Sequence, residues 1–428
     1  MNILNRKKAP PIKDAVDYSL ALKTIQTTTL RNGIKVHHVQ AGAQEVVQIE
    51  LVFFAGNSFQ ANRGVAAATN FLLKNGTNKK TAFEINETFD FYGAFCSRSC
   101  FNETATLTLH SLSKHAPQVL PLVREILTES TLPEEELSLY KQNSIQRLKV
   151  NLQKADFVAG QLIDSYVYGD THPYGRMSEI VDIESIDIAS CREFYKQFYQ
   201  NGNCLIFVAG NYPDNLIDLL DSLFGDLPIT SCPIPTPNPT VLPAAQMKYR
   251  INNDPEAVQG AIRLATPFPN RHHPDFMKAA VLNTVFGGYF GSRLMSNIRE
   301  DKGYTYGIYS YVQNHLQQSA WVISTEAGKD VSEATIDEIY KEMKRLREEP
   351  IDEEELLLVR NYLIGSILGD LDGPFHIMGK WKNYILNNLD DQYFYDSVKE
   401  IKTIQADELM TLAQKYLVPE KFYELIVY

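Results

Sequence analysis

Cysteine is scarce in this chain: 5 in 428 residues, at Cys96, Cys100, Cys191, Cys204 and Cys232. An odd, scattered set builds no disulfide framework and fits reduced thiols. No apolar run reaches the length that spans a bilayer, which excludes a helical membrane protein. Basic charge is also short. Lys and Arg number 41 against 52 Asp and Glu, a net charge of −11. A nucleic-acid binder needs a basic face, so that class is excluded. The N-terminal MNILNRKKAPPIKD has a basic cluster, but proline and charge follow where a signal peptide needs an apolar stretch. The expectation is a cytoplasmic protein with no membrane association. The acceptor patterns at Asn75 and Asn102 have no consequence without secretion.

Metal-ligand spacing is missing as well. His37 and His38 are adjacent in a predicted strand, so their side chains point to opposite faces. His272 and His273 form another adjacent pair, beside Pro274 at a predicted helix start. Cys96 and Cys100 lie in a strand-like stretch with no second pair. All six read as structural or surface residues.

What is present is a globular composition, 44% hydrophobic and 22% charged, in a chain too long for one ordinary core. Prolines at 228, 233, 235, 237, 239 and 243 mark an extended linker over residues 227–246. The segments on either side, 1–226 and 247–428, echo each other. LPEEEL from Leu132 matches IDEEEL from Ile351, each opening a long helix with acidic residues in its first turn. IESI from Ile183 matches IKTI from Ile401, and each precedes a helix and then an apolar strand, from Cys204 or from Tyr423. One spacing, to within one residue, relates all of these pairs, as duplication would. Residues 134–168 read as one long helix or two in tandem, and residues 47–54 and 104–110 as strands. Mixed element order favours an α+β fold of two homologous repeats, each a mixed or antiparallel sheet with helices.

Residues 64–77, GVAAATNFLLKNGT, resemble the zinc-binding helix of the insulinase/pitrilysin family of inverted zinc peptidases. That helix carries H-x-x-E-H, then a short apolar stretch and Gly-Thr. The YGA from Tyr92, the helix boundary at Glu129 and the HPYGR from His172 are similar family landmarks. The resemblance runs from about Leu30 to the C-terminus, yet the chemistry is missing. The two histidines fall on Ala67 and Phe71, the catalytic glutamate on Asn70, and the third ligand on or next to Arg147. Neither alanine nor phenylalanine offers a donor, and an amide is no general base. A guanidinium at the third position repels a cation. The edge strand that binds substrate in active members is replaced here by Ser97-Arg98-Ser99-Cys100-Phe101.

The second half keeps what the first has lost. FGGYFGSRLMSNIRE leads through Lys302 and Gly303 into YTY. Its glycines lack the lysine of a phosphate loop. It resembles the family's Gly-rich, Ser-Arg-Leu, Arg-Glu-x-x-Gly-x-x-Tyr segment, with Arg299 and Tyr306 at the family's separation. Residues 304–311 are expected to form a strand. The resemblance implies that Tyr306 hydrogen-bonds the oxyanion of a peptide-hydrolysis intermediate and that Arg299 holds the substrate backbone.

The implied protein is a non-zinc-binding subunit of a heterodimeric zinc metalloendopeptidase. It binds no cofactor itself. The zinc is expected in a homologous partner subunit bearing H-x-x-E-H, and peptides are the expected substrates. The alternative is a proteolytically inactive scaffold or peptide-binding protein of the same fold, including a homodimer.

Overall fold

The structure is a computed structural model describing residues 14–231, 237 and 239–428. The middle of the proline-rich segment, 232–236 and 238, lies outside the described residues. Among the described residues, eleven strands form two sheets. The first contains β1 (Gln26–Thr29), β2 (Lys35–Gln40), β3 (Val46–Phe53), β4 (Phe95–Cys100), β5 (Ala105–Leu112) and β6 (Cys204–Gly210). The second contains β7 (Lys248–Ile251), β8 (Gln259–Phe268), β9 (Ile308–Asn314), β10 (Ser319–Gly328) and β11 (Tyr423–Val427).

The strand orders are β1-β2-β6-β3-β5-β4 and β7-β11-β8-β10-β9. Without β1, the sheets match strand for strand. In each, the first pair is parallel and every later pair antiparallel. Helices match too: Glu134–Asn151 with Glu353–Asp370, and Ala155–Tyr168 with Pro374–Leu386. The fold is α+β, built from two homologous halves.

Of the two readings of residues 134–168, one long helix or two in tandem, the structure has the second, with the break after Asn151. The break lets the second piece cross to the other half. Val158, Ala159, Ile163 and Val167 bury against Ala261, Ala265, Val322 and Leu425 of the second sheet. Its counterpart, Pro374–Leu386, returns the exchange, with Met378 buried against Val52, Leu205 and Phe207 of the first sheet. Each sheet therefore has one face packed by helices of its own half and one by a helix of the other. Period-2 alternation sorts the residues: in β8, Ile262 and Leu264 enter the second half's own core while Ala261 and Ala265 face the exchanged helix.

β4 ends the first sheet and β9 ends the second.

Candidate active-site region

The helix Val65–Leu72 follows Gly64, whose φ of 84° starts it. Its side chains show what replaced the metal chemistry. Asn70 is buried, and its amide donates to Tyr199 Oη (3.1 Å) and to the Thr106 carbonyl (3.4 Å). Its donors are thus committed to the core. Phe71 packs against Tyr140, ring centroids 5.0 Å apart, and the Arg98 guanidinium lies 4.6 Å from the Phe71 ring centroid. Arg98 also donates to Asn75 Oδ1 (3.0 Å), and Asn75 donates to Glu136 (2.6 Å). Lys74 donates to the Cys96 carbonyl (3.0 Å). Burial pushes both Lys74 and Arg98 below their ordinary pKa values, because a cation is costly away from water. Ala67 and Arg147 line one cavity beside this helix. Among the described residues, no group of three or more His, Cys, Asp or Glu is placed to hold a metal ion. The donor set does not fit zinc: methyl and phenyl groups stand at two positions, an engaged amide at a third, and cations close by.

The other candidate residues sit in the second half. Arg299 belongs to the last turn of Met295–Asp301. Its Nε donates to the Tyr306 carbonyl (3.0 Å), and its guanidinium lies 4.5 Å from the Phe290 ring centroid. Glu300 is 3.6 Å away. Gly303, at φ 66°, turns the chain out of the helix. The expected strand over 304–311 begins only at Ile308, so Tyr306 lies in the loop before β9. The reason is Thr305. Its hydroxyl donates to the Glu326 carbonyl (2.7 Å) and accepts from the Gly307 N–H (3.1 Å), a local loop bond that replaces ladder pairing.

The loop is therefore tied at Thr305 to β10 and at the Tyr306 carbonyl to Arg299. The Tyr306 side chain projects from it, 93% exposed. Gly287 makes the approach of the preceding segment possible, since a Cβ there would come within 2.9 Å of the Ser310 backbone nitrogen. Arg299 and Tyr306 are brought together; Ala67, Asn70, Phe71 and Arg147 gather separately in the first half. Arg98, Phe290 and Thr305 carry weight that the sequence reading did not assign them. The signal available for Arg98 was a lone cation between serines in a predicted strand, and for Phe290 an aromatic within a glycine-rich stretch.

Residues 35–172 match the family described as Insulinase (Peptidase family M16), and residues 185–363 match the Peptidase M16 inactive domain. The chain belongs to the insulinase family. An uncharacterized zinc protease, YmxG of Bacillus subtilis, is 22% identical over 94% of this chain and 98% of its own length. The fold is that of the peptidase M16 inactive domain from Pseudomonas fluorescens, with a TM-score of 0.83 at 24% identity over 95% of this chain and 98% of that one. A protease from Helicobacter pylori superposes with a TM-score of 0.84 at 18% identity, over 95% of this chain and the whole of the other. Within this insulinase-family chain, the described residues contain no helix long and apolar enough to cross a membrane.

Proposed function

We propose that this chain is the non-zinc-binding subunit of a two-chain zinc metalloendopeptidase and that it supplies Arg299 and Tyr306 in trans. The partner is a homologous subunit with an intact H-x-x-E-H, and peptides are cleaved between the two. The observation that carries this reading is the Tyr306 phenol, almost fully exposed on a loop tied at both Thr305 and Arg299. A strand aromatic with only a packing role would be buried. Instead, the hydroxyl is available to an oxyanion formed on another chain, and the loop holds it in place before the reaction. Arg299 spends its Nε on the loop and lies 3.6 Å from Glu300 through one terminal nitrogen, which leaves the other terminal nitrogen to hold a substrate carbonyl group. Cys96, Cys100, Cys191 and Cys204 are all free thiols, which suits a reducing compartment. We place the pair in the cytoplasm.

The test is reconstitution with the homologous H-x-x-E-H subunit. Tyr306→Phe should lower kcat by roughly 10²–10³, the cost of one lost oxyanion donor. Assembly and melting temperature should not change, because the phenol packs against nothing. Unchanged peptidase activity in Tyr306→Phe would reject the trans-catalytic role and leave a scaffold or peptide-binding homodimer.

A further inference from the structure

The helix that lost its metal ligands borders a cavity of about 310 Å³, with Ala67 in its wall. Three arginines line it, Arg63, Arg147 and Arg176, with two carboxylates, Glu179 and Asp182. Arg63 takes both acids, Asp182 at 3.4 Å and Glu179 at 3.9 Å. Arg176 uses its Nε on the Thr171 carbonyl (2.8 Å). Burial and the neighbouring Arg63 both push Arg176 below its ordinary range. Arg147 makes no hydrogen bond or ion pair with any described residue. Two guanidinium groups thus present unfilled donor edges to one small cavity. The same lining has an apolar part, Tyr140, Phe157 and Met177.

The repeat provides an internal control. The second half has a corresponding cavity of about 520 Å³, lined by Ile367, Asp370 and His376 where the first has Leu148, Asn151 and Phe157. The void is therefore a property of the duplicated fold. The placement of charge differs: the counterpart of Arg147 is Ser366, which does not line the second cavity, where Arg271, Lys380 and Asp370 are the charged residues. In the first copy a guanidinium stands on or next to the position where the family resemblance places an anionic zinc ligand.

We propose that this cavity binds the C-terminal carboxylate of a peptide. Arg147 and Arg176 hold the carboxylate, and Tyr140, Phe157 and Met177 receive an apolar last side chain. Guanidinium groups match a carboxylate with paired, charge-assisted donors. Three arginines against two carboxylates leave the lining one positive charge, which suits a monoanion better than a phosphate dianion. The volume lies at the lower end for ligand pockets and fits a chain end rather than a folded partner. Ser144 and Asn57 also line the cavity and can pair with the peptide backbone.

The test uses the full chain alone, so its outcome is independent of the trans-catalytic reading. Calorimetric titration compares acetyl-Ala-Ala-Leu as free acid with the same peptide as C-terminal amide. The free acid should bind, and the amide should bind at least about tenfold more weakly, as expected for losing a hydrogen bond to a charged group. Arg147→Gln should weaken the free acid by a similar factor without shifting the melting temperature, because Arg147 holds no other group. Arg176→Gln should weaken it too, with far-UV circular dichroism checking the fold. Equal binding of acid and amide would overturn the proposal. So would no binding of the acid at millimolar concentration, or tighter binding of inorganic phosphate than of the peptide acid.

Discussion

At the scale of single residues, losing a metal site has left a repacked one. Asn70 donates into the core, and Phe71 sits between Tyr140 and Arg98. The obvious repair, Ala67→His with Asn70→Glu and Phe71→His, should therefore fail. A glutamate at position 70 offers only acceptors when ionised, so the Thr106 carbonyl loses its donor inside the core. Such a loss costs on the order of 1–3 kcal/mol. Removing Phe71 strips Arg98 of its stacking partner, and Arg147 still stands where the third ligand is needed. The triple variant should melt at a lower temperature than the parent and hold no stoichiometric zinc by elemental analysis. Near one zinc per chain, lost to a chelator, would show that the cations nearby are no barrier.

At the scale of elements, the exchanged helices decide how the halves depend on each other. Ile163 lies on the helix Ala155–Tyr168, in the first half of the chain, yet it is buried in the core under the second sheet. Ile163→Ala should cost about 2–5 kcal/mol, the usual range for a buried large-to-small change. Hydrogen exchange should rise first in β8 and β10, roughly a hundred residues or more along the chain. Faster exchange confined to the first sheet would mean that the crossing contributes little. The helix break after Asn151 lies where the chain passes to the other half's core, and the loop before β9 is held by Thr305, both locally to Gly307 and to the Glu326 carbonyl of β10. Neither end was legible in the local pattern: apolar residues keep helical spacing through 134–168, and small and aromatic residues alternate through 304–311.

At the scale of the whole molecule, a buried cluster at the junction of the halves titrates. Tyr174 and His315 stack at 3.9 Å, Tyr174 Oη bonds Glu103, and Asn102 bonds His315 Nδ1 at 3.3 Å. Burial, and then the neighbouring His172, lower His315 to about 4. Burial and Arg176 lower His172 as well. The folded state thus keeps His315 neutral, while the unfolded chain binds a proton near 6.5. Its contribution to stability is complete above about pH 6.5 and falls as the pH drops toward 4. His37, also lowered to about 4, acts in the same direction elsewhere. Burial raises Glu103, which acts in the opposite sense. The comparison must therefore be between proteins. From about pH 7 to about pH 5, His315→Phe should lose less melting temperature than the parent, since the ring stack remains and the proton site is gone. Parallel pH profiles for the two would remove His315 from the acid response.

The amino-acid sequence by itself determined the duplication, the α+β class and the family, because these rest on residue types at repeated spacings: the acidic helix starts at Glu134 and Glu353, the glycines around Tyr289, and the interval from Arg299 to Tyr306. It also determined that no zinc ligand stands at Ala67, Asn70 or Phe71, since donor chemistry belongs to the side chain wherever it is placed. Only the tertiary structure decided that the helix Ala155–Tyr168 crosses to the second sheet, that Tyr306 projects from a tied loop, and that Arg147 and Arg176 share a cavity. Each of these depends on contacts beyond the element itself, and periodicity reports only which face of an element is apolar, never which neighbour covers it.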